Sequence, residues 1–295
     1  MMPANLKRRT ITSVVLIAAI IAILIGDQFF QPFTPFLALC LVASAIVSVG
    51  EFQILIISFK PRQYWLLGCV LAMICIPWLA LCFAGKNGKM DISDGPVFWT
   101  FIGIVYMIVS AASVLNEIIN YDSGNNAVAR IASTLLGVVY LGVLPCFLLK
   151  LCWLPPHLRI EPSLALAATI FVPKLGDVGA YLTGSLIGRN AMTPTLSPKK
   201  TWEGLAGGLI VSMLTAVAIN SLGREPLFKN GVLEALAFGF AVGLAGVFGD
   251  LFESMLKRDA QTKDASQTVP GFGGALDVVD SVLFAAPVAY LFLIW

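Results

Sequence analysis

Nine long apolar runs, separated by short polar connections, make up most of this chain. Crossing the hydrocarbon core of a bilayer takes a helix of about 20 apolar residues, and most of the runs reach that length. The runs therefore predict nine membrane-spanning helices, at residues 11–25, 33–57, 64–84, 96–118, 129–149, 164–187, 205–222, 232–256 and 275–295. The fold class that follows is an all-α polytopic membrane protein.

The composition agrees with this fold class and limits the chemistry. Of the 295 residues, 58% are hydrophobic and 12% are charged, whereas a soluble domain carries about 25% charged residues. The net charge of +2 is too small to indicate a nucleic-acid partner. Because His157 is the sole histidine, an imidazole metal cage is excluded. A bound metal would have oxygen ligands, as Mg²⁺, Mn²⁺ and Ca²⁺ prefer.

The distribution of basic residues predicts the orientation in the membrane. Lys7, Arg8 and Arg9 precede the first run, and cytoplasmic loops are enriched in Lys and Arg. If the N-terminus is cytoplasmic, the cytoplasmic side receives about twice as many basic residues as the outer side. The polar loops of the C-terminal half then face the cytoplasm from the inner membrane of the cell. We expect scaffold helices at 1–163 and a catalytic region at 164–295, together forming one integral-membrane unit.

Charged residues are concentrated in residues 249–281, between two apolar runs. Asp250, Glu253 and Lys257 have the spacing of one helix face, and Asp277 and Asp280 in the last run are also three residues apart. Two helices can thus each direct acids towards a common point, where the carboxylates would repel one another without a cation. Burying such acids near a bilayer requires compensation, so the pattern predicts a divalent metal site.

Two further motifs precede this cluster. In the sixth run, Lys174 and Asp177 lie three residues apart, and they form either a self-neutralising ion pair or two groups that face a polar cavity. The loop at 195–204, TLSPKKTWEG, is either a plain juxtamembrane basic loop or part of the same site. Within it, Thr201 and Glu203 predict the start of the next helix.

A glycine-rich turn and several cations lie between the last two runs. Lys257, Arg258 and Lys263 are basic, and the sequence PGFGG, with Gly273 and Gly274, directly precedes the last helix. Exposed backbone N–H groups at a helix N-terminus bind phosphate, so we expect a phosphate cradle here. With the acids, these groups predict a site for Mg²⁺ and a polyphosphate at the cytoplasmic membrane surface.

Glu51 and Glu117 are isolated acids in the second and fourth runs. Both would be able to line a cavity, but a snorkelling or interfacial carboxylate is the simpler interpretation. We therefore assign neither to the site.

The order of these motifs resembles that of a known enzyme family. SPKKTWEG, followed by GDLFESMLKRDAQTKD and PGFGGALDVVDS, resembles the signature of the phosphatidate cytidylyltransferase (CDP-diacylglycerol synthase) family. The resemblance covers residues 174–281 closely and the preceding runs by hydropathy alone. Two positions depart from the family pattern, because Phe272 stands where the family usually has His and Val279 where it usually has Arg.

The resemblance implies a nucleotidyltransferase of phospholipid biosynthesis that converts CTP and phosphatidate to CDP-diacylglycerol and diphosphate, and that usually forms a homodimer in the membrane. It also implies a requirement for Mg²⁺, at two divalent sites or at one divalent site plus K⁺. The expected catalytic set is Asp250, Asp277, Asp280, Lys257, Arg258, Lys263 and Asp264, of which the first three are also the expected metal ligands. The expected substrate contacts are Ser197, Lys199, Lys200, Thr201, Glu203, Lys174, Asp177, Gly273 and Gly274.

Two other functions are compatible with parts of the pattern. A CTP-dependent polyprenol kinase would use a similar nucleotide site but would transfer the γ-phosphoryl group. A cation-coupled transporter would use the intramembrane acids to bind its ion. Transporters often have repeated halves with interrupted helices, and the sequence shows no such repeat.

Overall fold

The computed structural model describes residues 4–29, 34–56, 63–87, 95–121, 126–154, 158, 160–222, 226–228, 231–262, 266, 268–269 and 273–295. Within these ranges it describes all side chains except those of residues 4–11, 13, 28, 63 and 84–87. The chain divides into two units. The first unit comprises Met1–Leu149 and Asp259–Val278, and the second comprises Lys150–Arg258 and Val279–Trp295. The predicted division at residues 163 and 164 differs from this one chiefly because Asp259–Val278 groups with the N-terminal helices.

Every predicted apolar run forms a helix, so the all-α polytopic fold is confirmed. Eight described helices are long and apolar enough to cross a membrane, whereas the described apolar stretch of the first helix, Val14–Asp27, is shorter. The helices are α1 (Ala4–Phe29), α2 (Pro35–Leu55), α3 (Gln63–Asn87), α4 (Gly95–Ile119), α5 (Ala127–Val138), α6 (Leu144–Leu151), α7 (Pro162–Ile187), α8 (Trp202–Asn220), α9 (Val232–Asp259) and α10 (Ala275–Ile294). A π-helical turn, Val139–Val143, joins α5 to α6 within one continuous span.

In the first unit, buried carboxylates satisfy donors that would otherwise be unpaired. The Asp27 side chain accepts hydrogen bonds from the backbone N–H groups of Phe36 and Leu37, both at 2.9 Å, at the start of α2. Glu117 on α4 accepts a 2.6 Å hydrogen bond from Nε of Arg130 on α5, and both side chains are buried. The interfacial interpretation of Glu117 is therefore wrong, because its charge is neutralised by Arg130 inside the protein.

In the second unit, small residues allow the helices to pack closely. A Cβ atom added at Gly176 on α7 would collide with the Ser212 hydroxyl on α8, and one added at Gly208 on α8 would lie 2.9 Å from the Ala180 Cβ. The Ser212 hydroxyl donates a 3.1 Å hydrogen bond to the Val172 carbonyl on α7. Small residues at such interfaces let helix backbones approach in a membrane, where packing replaces the hydrophobic effect as the driving force.

The segment expected to be a polar loop contains a short β-hairpin. Strand β1 (Ala191–Thr193) pairs antiparallel with β2 (Ser197–Thr201), and β2 contains the SPKKT sequence. The strand ends at Thr201, whose hydroxyl accepts a 3.1 Å hydrogen bond from the Gly204 N–H and so caps α8. The predicted helix start is confirmed, and the hairpin holds the two lysines in an extended segment directly before it.

Candidate active site

A lysine and two aspartates meet within the second unit. Lys174 Nζ on α7 lies 3.2 Å from Asp280 Oδ1 on α10 and 3.9 Å from Asp177 Oδ2 on its own helix. Asp280 also accepts a 2.6 Å hydrogen bond from the Ser281 N–H, and the Ser281 hydroxyl donates to Asp177 Oδ2 at 3.3 Å. Of the two alternatives for Lys174 and Asp177, the simple internal pair is insufficient, because Asp280 is the nearer partner of the ammonium group.

A second lysine and aspartate pair involves the hairpin. Lys200 Nζ, at the end of β2, lies 2.7 Å from Asp250 Oδ2 on α9. These side chains are 23% and 33% exposed, but Lys200 Nζ itself is buried against the carboxylate. The hairpin therefore carries a cation that the structure places against one of the predicted catalytic acids.

Two predicted site residues hold the hairpin in place. The Glu203 carboxylate accepts hydrogen bonds from the N–H groups of Arg189 and Asn190, at 3.1 and 3.3 Å, and from the Asn190 side chain at 2.7 Å. Arg258 Nε at the end of α9 donates to the Leu196 carbonyl in the turn of the hairpin, at 3.0 Å. Glu203 thus holds the residues directly before β1, and Arg258 holds the turn between the two strands.

A cavity of about 240 Å³ lies beside these groups, within the second unit. One part of its wall is polar and charged, and the other part is apolar. The polar lining includes Asp177, Lys199, Lys200, Thr201 and Asp250, and the apolar lining includes Tyr181, Met192, Leu205 and Val247. Such a mixed wall suits an amphiphilic or nucleotide-like solute better than a purely apolar one.

Lys257, a predicted phosphate ligand, forms an ion pair on its own helix. Its Nζ lies 3.2 Å from Glu253 Oε2, one helical turn earlier on α9, and the Glu253 side chain is 1% exposed. An ion pair with so buried a carboxylate compensates that carboxylate's lost hydration. The structure therefore gives Lys257 a structural partner on its own helix.

The predicted metal ligands do not form one cluster in the described residues. Within the described ranges, no group of three or more His, Cys, Asp and Glu side chains has an arrangement that would hold a metal ion. Asp250 and Asp280 each face a lysine, and Asp277 Oδ2 accepts a 2.7 Å hydrogen bond from the Gly274 N–H. The donor type nevertheless fits Mg²⁺, because carboxylate oxygens are the ligands that this ion prefers.

The N-terminus of α10 is occupied by carboxylates of the protein itself. Asp277, at the third position of the helix, accepts from the Gly274 N–H, as the acid of a capping box does. Glu51 on α2 accepts from the N–H groups of Ala275 and Leu276, at 2.9 and 2.7 Å. In this conformation the Gly273 N–H also has a partner within the chain, the Val269 carbonyl. Phosphate binding at Gly273 and Gly274 stays a prediction.

Glu51 is a second acid, after Glu117, whose interpretation from the sequence differs from the structure. It is 2% exposed, so the interfacial interpretation is wrong. Two sequence features pointed to a buried, hydrogen-bonded Glu51. It is isolated in an apolar run, and Ser266 and Thr268, which carry hydroxyls, stand just before the glycine turn. Lys263, Asp264 and Phe272, which the sequence analysis also named, lie outside the described residues.

Comparison with known proteins assigns these motifs to a family. The model of the cytidylyltransferase family matches residues 7–295. The chain belongs to the cytidylyltransferase family. The match covers both units, so the N-terminal helices belong to the family fold as much as the charged C-terminal helices do.

Several relatives within this cytidylyltransferase family carry a more specific name. The phosphatidate cytidylyltransferase of Helicobacter pylori strain J99 is 31% identical over 280 residues, which cover 95% of this chain and 89% of that protein. The one from Haemophilus influenzae is 29% identical over 290 residues, covering 96% of each chain. Chloroplastic phosphatidate cytidylyltransferase 5 of Arabidopsis thaliana is 32% identical over 251 residues, and the match spans 57% of the plant protein's length. The chain thus spans little more than half the length of this plant relative.

Proposed function

We propose that the protein is a phosphatidate cytidylyltransferase, which converts CTP and phosphatidate to CDP-diacylglycerol and diphosphate. The observation that carries the proposal is the pair of lysines, Lys174 and Lys200. Each lysine pairs with an aspartate, and both aspartates lie on helices long enough to cross a membrane. Both substrates are phosphate anions, and one of them is a membrane lipid. The full-length bacterial relatives that bear this name support the same reaction.

The cavity suits one part of the two substrates better than the whole of either. Its volume of about 240 Å³ is below the roughly 300–1,000 Å³ typical of pockets that enclose a drug-sized ligand. We infer that it receives the phosphate groups, which Lys199 and Lys200 in its lining would attract. The hydroxyls of Ser197 and Thr201, on the same strand, would be further donors. The acyl chains of phosphatidate would stay in the bilayer.

The reaction needs alignment and charge neutralisation more than proton transfer. The phosphate monoester of phosphatidate has a second pKa near 6, so it is largely dianionic at neutral pH and needs no dedicated base. One of its oxygens forms a bond to the α-phosphorus of CTP, while the bond from that phosphorus to the bridging oxygen of the β-phosphate breaks. Lys174 and Lys200 would offset the repulsion between the two anions, and Asp280 and Asp250 would hold the ammonium groups in position.

We propose that Mg²⁺ assists and that its ligands in the second unit are Asp250 and Asp280, with Asp177 supporting them. When bound, the ion would supply charge neutralisation on the phosphate oxygens. Asp277 remains a predicted ligand on sequence grounds, and a second divalent site or a K⁺ site remains a prediction of the same kind. We also propose a homodimer and a cytoplasmic active site, the latter because CTP is a cytoplasmic solute and the basic loops predict that orientation.

The test is transfer of label from CTP to lipid by the purified protein. Detergent-solubilised protein is incubated with phosphatidate, Mg²⁺ and CTP labelled with ³²P at the α-phosphate, with and without a chelator. Labelled lipid that requires the divalent ion supports the proposal. Label that enters lipid only from γ-labelled CTP would instead identify a lipid kinase, and ion flux into proteoliposomes without CTP would identify a transporter.

A further inference from the structure

The Glu51 carboxylate lies at the centre of a group of hydrogen bonds in the first unit. Its Oε1 accepts from the hydroxyls of Ser266 and Thr268, at 2.6 and 2.5 Å, and from the Ala275 N–H at 2.9 Å. Its Oε2 accepts from the Leu276 N–H at 2.7 Å. Glu51 is 2% exposed, and four donors satisfy its two oxygens, so it is a buried and fully hydrogen-bonded carboxylate.

The chemistry of the contact is specific for a carboxylate. The first backbone N–H groups of a helix have no partner within the helix, and the helix dipole favours negative charge there. A glutamine at position 51 would have an amide NH₂ in place of one oxygen, so at least one of the four donors would face another donor. Gly274 leaves no spare room, since a Cβ atom at that position would lie 2.5 Å from Glu51 Oε2.

We propose that Glu51 is a positioning residue for the cytidylyl transfer, acting through the first turn of α10. That turn carries Asp277, whose carboxylate accepts from the Gly274 N–H beside the two N–H groups that Glu51 holds. Three residues further along the same helix is Asp280, the partner of Lys174. Because a reacting group must be held within about 0.5 Å of its productive geometry, the cap that fixes this turn controls the reaction without contacting the substrate. The inference rests on the proposed function.

The experiment compares Glu51→Gln with Glu117→Gln in the full-length protein. Glu117 is the matched control, because it is also a buried carboxylate on a helix of the first unit and its partner is Arg130 rather than α10. We expect Glu51→Gln to lower kcat about 10- to 100-fold, the usual effect of removing a residue that orients a ligand, with the KM for CTP unchanged. Glu51→Asp retains the charge and should recover part of kcat. Equal losses of kcat in Glu51→Gln and Glu117→Gln would overturn the proposal.

A second measurement does not depend on activity. Amide hydrogen exchange over residues 273–278, measured without substrate, should be faster in Glu51→Gln than in the wild type and unchanged in Glu117→Gln. If Glu51→Gln cannot be purified, Gly274→Ala displaces the same carboxylate and should give the same exchange and the same fall in kcat. Unchanged exchange in Glu51→Gln refutes the proposed cap. Faster exchange in Glu51→Gln, together with a wild type that never labels lipid, refutes the proposed function and, with it, the positioning role of Glu51 in the reaction.

Discussion

Replacing Lys174 with methionine removes the ammonium group that contacts both Asp177 and Asp280. Methionine keeps much of the length and the apolar part of the side chain, so the main change is the loss of charge. The two aspartates would then face one another with no cation between them, and Asp280 is only 6% exposed. Lys174→Met should therefore be less stable than the wild type as well as inactive.

The size of the effect follows from the distances. Two unit charges 3.2 Å apart attract by about 5 kcal/mol at an effective dielectric constant of about 20. Lys174 is 30% exposed, so solvent screening and the cost of desolvating both ions reduce the net loss to roughly 1–3 kcal/mol. If the stability loss comes from an uncompensated carboxylate, then Lys174→Met combined with Asp280→Asn should be more stable than Lys174→Met alone.

The first assay is thermal unfolding of the purified variants in detergent, monitored as the fraction of protein that stays monodisperse after heating. The second assay is transfer of label from CTP to lipid. We expect the unfolding midpoint to fall in Lys174→Met and to recover in the double variant, while both remain inactive. Asp280→Asn alone completes the double-mutant cycle. A Lys174→Met protein as stable as the wild type, or a double variant no more stable than Lys174→Met, would refute the argument from charge compensation.

Three further predictions concern single positions. Asp250→Asn should lower the rate of lipid labelling about 100- to 1,000-fold, because it releases Lys200. The control Asp259→Asn, at the exposed end of α9, should leave the rate unchanged. Equal rates in the two variants would contradict the assignment of Asp250 to the active site. Gly273→Ala should cost about 1–3 kcal/mol of stability and so lower the melting temperature, because Gly273 has a φ of 109°, which residues with a side chain rarely adopt. The control Gly103→Ala, where a Cβ atom would meet open space, should not lower the melting temperature. Thr201→Val should cost about 1 kcal/mol through loss of the α8 cap, while Thr201→Ser should retain it; a melting temperature equal in both would exclude the cap.

The helices were predictable because their signal is local. A run of about 20 apolar residues has few alternatives in a membrane, where every backbone polar group must be paired within the segment. The apolar runs alone located the helix ends less well, because the run in α8 starts at residue 205 whereas the helix begins at Trp202, directly after the cap residue Thr201. The π-helical turn at Val139–Val143 has no distinctive residue pattern, and nothing in the sequence analysis indicated it.

The site was predictable only as far as its residues could be matched to a short pattern. Lys174, Asp177, Lys200 and Asp250 were all named, and the structure places them in two ion-pair groups. The Glu51 contact joins residues that are 224 and 225 positions apart in the sequence, and no local spacing encodes such a pairing. The glycines of PGFGG suggested a phosphate ligand, but the anions at that helix N-terminus come from the chain itself.

The charges of α7 also bear on how the chain enters the membrane during synthesis. Among the eight long apolar helices of the described ranges, α7 has the lowest hydropathy, 1.3. A Lys or Asp near the middle of a helix adds about 2.5–3.5 kcal/mol to the apparent free energy of insertion. Lys174 and Asp177 on α7 therefore make it a poor segment for insertion by itself, and Asp280, which neutralises Lys174, is synthesised about a hundred residues later. Stable integration of α7 should thus wait for α10, so a helix that is synthesised later completes the insertion of an earlier one.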